Sequence, residues 1–244
     1  MNTRPVPTFI ALLAFTGVTL LYGIGTMPPA VAHTAGVLPA AGEWLAIDTA
    51  ATAVRIFAYR DGWLARFGHN HVIESRAVSG RVWLGEPANQ SRFELTIPVA
   101  TLIVDDPAAR KAAGPDFTSV PSAKDREGTR TNMLGSALLD ATRSPVIRVR
   151  SMSIQAAGPR YDVSAEVMIR NHAAVVKFPA DVLETANGLR VTGELRVRQS
   201  ALGLTPFHAL GGALKVRDEI RIAFEIAANP SETGAAAGAP AAPR

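Results

Sequence analysis

The stretch LRVTGELRVRQ, residues 189–199, carries the pattern on which the fold turns. Leu189, Val191, Gly193, Leu195 and Val197 fall on one face of an extended chain, and Arg190, Thr192, Glu194, Arg196 and Arg198 on the other. Successive strand side chains point to opposite faces, so this period of two is that of a strand with one apolar and one solvated side. Two more stretches repeat it. In RFELTIPV, Phe93, Leu95, Ile97 and Val99 oppose Arg92, Glu94 and Thr96. In EIRIAFEI, Ile220, Ile222, Phe224 and Ile226 oppose Arg221, Ala223 and Glu225.

Less regular runs of the same kind occupy 53–60, 74–84, 145–154, 160–170 and 174–184. Gly85-Glu86-Pro87, Ala157-Gly158-Pro159, Asn171 and Asn187-Gly188 separate them, and the last pair is a strong two-residue hairpin signal. Short links join antiparallel neighbours. The pattern predicts an all-β chain of about eight strands, arranged as a sandwich or a closed barrel. The even charge of the outer faces, and the lack of a cysteine–tryptophan core pattern, favour the antiparallel β-barrel. Such a barrel is either filled by its own side chains or holds one small ligand.

One segment departs from the rhythm. Asp105-Asp106-Pro107 offers a helix cap with proline at the first helical position, and Ser122 to Asp125 has the spacing of a capping box. A short helical insert is therefore expected within 106–141. Asp105 and Asp106 read as capping residues rather than as an acid–base pair, because adjacent side chains point apart.

The ends read differently from the middle. Arg4 precedes an apolar run from Phe9 to Ile24, followed by Met27-Pro28-Pro29 and Ala30-Val31-Ala32. Basic start, apolar core and small-residue site predict a secretory signal over 1–32, cleaved after Ala32. The alternative is a retained anchor, which the shortness of the run disfavours. Residues 229–244, rich in Ala and Pro, are expected to be a disordered tail. Removing 1–32 lowers the net charge from +4 to +3, too mild for a nucleic-acid partner without a basic block. The chain has no cysteine, so an exported domain here depends on an ordinary core rather than on disulfides.

Two of the five histidines lie in RFGHNHVI, residues 66–73. His69 and His71 are two apart, and on an extended segment they would share a side. Three roles are open to them: packing and backbone hydrogen bonds, contact with a ligand head group together with Arg66, or metal ligation with His208 and, less readily, His172. No G-x-S-x-G elbow, H-E-x-x-H pair or phosphate loop is present, and nothing in the residues asks for catalysis.

Several stretches together resemble the YceI-like family of exported, polyisoprenoid-binding barrels. They are IDTAATAVRIFAYRDGWLARFGHNHVI from Ile47, VSGRVWL from Val78, REGTRTNMLGSALLDATRSPVIRVRS from Arg126, and QSALGLTPFHALGGALKVRDEIRIAFEI from Gln199. The resemblance spans about residues 44–228. It implies an eight-stranded, lipocalin-like barrel whose interior tunnel holds an isoprenoid-type lipid, such as a quinone or a polyprenyl chain, in the periplasm. On that reading the tunnel is lined by Phe57, Phe93, Leu95, Ile97, Leu195, Val197, Ile222 and Phe224, and Arg66, His69 and His71 are head-group candidates. No cofactor is implied beyond that lipid. The alternatives are a periplasmic metal-binding protein using His69, His71 and His208, and an interaction module with a solid core. The outer arginines, among them Arg148, Arg150, Arg196, Arg198, Arg217 and Arg221, suggest transient contact with an anionic membrane surface.

Overall fold

The computed structural model describes residues 42–186 and 188–230. The segments read as a signal peptide and as a disordered tail lie outside the described residues, apart from Asn229 and Pro230. Fourteen strands and two α-helices are present among the described residues. In chain order the strands are β1 (Trp44–Ile47), β2 (Ala53–Ala58), β3 (Arg60–Asp61), β4 (His71–Ser75), β5 (Ser79–Trp83), β6 (Arg92–Pro98) and β7 (Ile103–Val104). After the helices α1 (Pro107–Ala112) and α2 (Ala123–Leu134) come β8 (Val146–Ala157), β9 (Arg160–Ile169), β10 (His172–Thr185), β11 (Gly188–Arg198), β12 (His208–Ala209), β13 (Leu214–Val216) and β14 (Glu219–Pro230).

Three of the eight long strands are each broken in two. Asp48 accepts hydrogen bonds from the N–H groups of Ala50 and Ala51, which folds Thr49–Ala51 into a single 3-10 turn between β1 and β2. The two pieces still run along the same neighbour, since β14 pairs with β1 near Ala228 and with β2 from Glu225 to Arg221. The pieces β4 and β5, and β6 and β7, are related in the same way. Counted as continuous ribbons, these three and β8, β9, β10, β11 and β14 make eight antiparallel strands in sequence order. β14 pairs with β11 on one side and with β1 and β2 on the other, which closes the barrel and removes its edges.

The outer wall is laced by cross-strand ion pairs: Arg81 with Glu94, Arg150 with Glu166, Arg160 with Asp181, Arg190 with Glu225, and Arg221 with Glu194. The charged half of each alternating strand thus faces water and a complementary neighbour.

The helical insert forms where the capping signals placed it. Asp106 caps α1, accepting from the N–H groups of Ala108 and Ala109, and Pro107 is the first helical residue. Ser122 and Asp125 close a capping box on α2. The insert joins the end of β7 to the start of β8, so it lies at the barrel end marked by Ala58, His71, Arg198 and Glu219. The segment after β11 folds over the same end, where Leu202 and Leu204 are buried. The other end is framed by the turn after β5 and by the β8–β9 and β10–β11 hairpins.

Close approach of β5 to β6 depends on Gly80. Its φ is +144°, and a Cβ there would stand 2.0 Å from the carbonyl oxygen of Glu94. Gly80→Ala should therefore cost about 1–3 kcal/mol, as for other overpacked sites. Thermal melting followed by circular dichroism should show Tm falling by about 2–4 °C per kcal/mol. An unchanged Tm would contradict the register of this pair.

Candidate functional site

The barrel interior is not filled. A cavity of about 850 Å³ runs along it, a size within the roughly 300–1,000 Å³ range of small-molecule sites. Every long ribbon contributes to its wall: Val54 and Ile56 from β2, Ile73 from β4, Val149 from β8, Val163 and Val167 from β9, Val176 and Phe178 from β10, and Ile220 and Ile226 from β14, among others. Alternation aims one apolar side chain in two at the axis. Gly193 leaves room for the Phe224 ring, which a Cβ would meet at 2.4 Å, and Phe224 packs edge-on against Phe178 with centroids 5.3 Å apart.

Of the tunnel residues expected from the sequence, Phe93, Leu95, Ile97, Leu195, Val197, Ile222 and Phe224 all line this cavity. Phe57 does not, and that expectation is corrected. Its ring lies outside the wall, against Phe117 at 5.5 Å between centroids and under the Arg221 guanidinium at 3.8 Å. The insert packs on the outer face of β2 near its end: Val54, Ile56 and Ala58 face in, while on the other face Arg55 pairs with Glu74 and Phe57 packs with Val72, Ala109 and Phe117. Alternation itself puts Phe57 with Arg55 on the outer face, and the covering insert gives the ring a buried place there.

The histidine stretch resolves into unequal parts. Arg66 is exposed and stacks on its neighbour Phe67, away from the cavity, so it is not brought together with a head-group site. The His69 ring stands 6.4 Å from that of His71, and His69 does not line the cavity. Its buried Nδ1 has no hydrogen-bond partner among the described residues. His71 opens β4 and lines the cavity on the same face as Ile73.

Behind His71 sits Asp105, which the sequence suggested as a capping residue and which the structure places elsewhere. Asp105 is 1% exposed and adopts a left-handed backbone, φ +53°, which turns its carboxylate under β4. One carboxylate oxygen lies 2.6 Å from His71 Nδ1. The other accepts from the Val72 N–H at 2.9 Å and from Arg110 at 2.5 Å. Arg110, buried in the last turn of α1, also donates to the carbonyls of Asn70 and Ser119. Asp106 is the cap, as its position suggested; Asp105 is an internal counter-ion. Of two adjacent aspartates only one can cap α1, and that is the sequence signal for a second role at Asp105.

Burial pushes the Asp105 carboxyl up, but His71, the Val72 N–H and Arg110 together outweigh it and hold the group below the usual carboxylate range. A folded-state pKa below the unfolded value means that Asp105 adds stability above its ordinary pKa, and that this is lost as pH falls through the folded-state pKa. With Nδ1 facing Asp105, the neutral imidazole presents Nε2 as its remaining hydrogen-bonding atom.

No group of three His, Cys, Asp or Glu side chains suited to a metal ion occurs among the described residues. His69, His71 and His208 are therefore not gathered into a metal site. His208 is exposed on β12, and His172 is exposed with Nε2 directed at the Ala201 carbonyl.

Asp105→Ala should destabilise the chain by about 3–5 kcal/mol, because Arg110 would stay buried without its counter-ion. Urea unfolding would measure this, and the gap to wild type should narrow as pH falls below about 4, where Asp105 is protonated in the unfolded chain. A gap that widens towards acid would contradict the direction of its shift.

A YceI-like domain model matches residues 45–228, most of the chain. No curated protein sequence matches it. Among solved structures, BcnA of Burkholderia cenocepacia aligns with a TM-score of 0.54 at 19% identity, covering 74% of this chain and 98% of that one. A YCEI protein of Campylobacter jejuni aligns at a TM-score of 0.47 and 10% identity, covering 65% of this chain and 85% of that one. The likeness to BcnA is one of fold. With the closed eight-stranded barrel, the interior cavity and a family match across nearly all of the described residues, the chain belongs to the YceI-like domain family.

Proposed function

We propose that this chain is an exported, periplasmic carrier that holds an isoprenoid-type lipid, a quinone or a polyprenyl chain, inside its barrel. The observation that carries the reading is the cavity of about 850 Å³, walled by Val, Leu, Ile and Phe from every long ribbon. Burying a prenyl chain there removes apolar area from water at about 25 cal/mol per Å². The family's polyisoprenoid-binding character agrees with this chemistry, and the N-terminal signal pattern supports export. The reading makes the protein a binding protein rather than an enzyme, and an interior this empty disfavours an interaction module with a solid core.

Collecting such a lipid requires brief contact with a membrane surface. Arg150, Arg196 and Arg221 of the outer wall are each paired with a glutamate, so the wall is charge-compensated and that contact is weakly electrostatic.

Native mass spectrometry of the protein purified from periplasm should find a bound mass, released by organic solvent and identified as an isoprenoid. Leu195→Trp, which narrows the cavity, should weaken retention of that mass while costing about 1–3 kcal/mol of stability. Phe57→Ala should do the reverse, keeping the lipid while costing about 3–5 kcal/mol. Lipid retained undiminished by a folded Leu195→Trp variant would sink the reading.

A further inference from the structure

The cavity's polar atoms are few: apart from the hydroxyls of Ser91 and Tyr161 at the end away from the helices, they are two carboxylates at that end and a cluster of uncharged groups at the other. Among the described residues that line it there is no lysine or arginine. Its carboxylates, Glu86 and Glu184, are exposed at the end away from the helices. A phosphate or carboxylate on a ligand would thus find no fixed cation in an apolar wall and two acids at the rim, and burying an unpaired charge is costly.

The helix-covered end is different. His71 faces the cavity there with Nδ1 committed to Asp105, so the neutral ring offers Nε2 as an acceptor. Buried Gln199 lines the same end, just beyond β11, and its amide nitrogen donates to the Arg217 carbonyl at 2.8 Å, which leaves its carbonyl oxygen as a second acceptor. Thr129 and Asn132 of α2 line this end too and can donate. Two acceptors fixed by their own second partners, with donors beside them, match a group that both donates and accepts.

We propose that the helix-covered end of the cavity is a head-group subsite for an uncharged hydroxyl, so that the preferred ligand is a long-chain isoprenoid alcohol bound head inward at His71 and Gln199. The inference rests on the carrier reading and sharpens it to one class of head. A hydroxyl donates to His71 Nε2 or the Gln199 carbonyl and accepts from α2. An ether or a quinone carbonyl only accepts, leaving both buried acceptors unmet, and a buried unmet acceptor costs more than a made bond gains. A diphosphate adds charge without a counter-ion. Asp105 and Arg110 are positioning residues, since they hold the His71 tautomer without touching the ligand.

The test uses the delipidated chain with geranylgeraniol, its methyl ether and geranylgeranyl diphosphate competing in native mass spectrometry. The alcohol should lead the ether by about tenfold, and the diphosphate should bind more weakly still. The lead should collapse in His71→Phe and shrink in Gln199→Met while both variants keep the ether. Alcohol and ether binding equally, or the diphosphate binding best, would overturn the hydroxyl subsite and leave the carrier reading standing. A lead that persists undiminished in both variants would overturn its assignment to these residues. If none of the three binds to chain that is folded by circular dichroism, both readings fall. The alcohol–ether comparison on the unsubstituted chain decides the head class even if a variant does not fold.

Discussion

The pairing of β14 is the constraint on which the rest of the molecule depends. This last strand bonds to β11 along one edge and to β1 and β2 along the other. Without that double pairing, the alternating strands would form an open sheet whose apolar face needed another layer to cover it. With it, one face becomes an enclosed interior and the other an ion-paired wall. The inner side chains then meet across a tube rather than across two packed sheets, and they stop short of filling it. The cavity follows from closure as much as from the residues that line it.

Closure also creates two unlike ends. The helical insert and the segment after β11 both return to the same end, because both connections start and finish there. The buried Asp105, Arg110 and His71 cluster is built at that junction, joining α1 to β4 through the barrel wall. Such a cluster is expensive to bury and tolerable only when every member is partnered, as Asp105 is by three donors. Its effect is to hold His71 rigidly at the helix-covered end of a largely apolar interior. The opposite rim carries Glu86 and Glu184 with the hydroxyls of Ser91 and Tyr161, so the two ends present different chemistry to a ligand lying along the axis.

Much of this was legible in the residues. The strands with one charged face, β6, β11 and β14, declared which side chains point inward, and all seven expected lining residues on them do. The caps on α1 and α2 were legible because capping is a local hydrogen-bonding matter. Phe57 was misread because an aromatic ring suggests the interior, whereas alternation puts it beside Arg55 on the outer face of β2, where the helical insert, distant in sequence, buries it. Asp105 was misread because two of its partners, His71 and Val72 of β4, lie more than thirty residues away and only the tertiary fold brings them within 3 Å. The histidines could be counted, but which one faces the interior could not, since that depends on where β4 begins relative to the bend at Gly68.

By itself, then, the sequence determined what is encoded over a few residues: the strand period, the turns, the caps, and the identity of an apolar face. These are properties of neighbouring side chains and of the backbone between them. Only the tertiary structure decided what is set by residues far apart in the chain: that the barrel closes through β14, that its interior keeps about 850 Å³ unfilled, that Phe57 lies outside it, and that His71 enters it backed by Asp105. The physical reason is that hydrogen-bonding period is a local quantity, whereas packing density and the pairing of buried charges are settled only when distant segments meet.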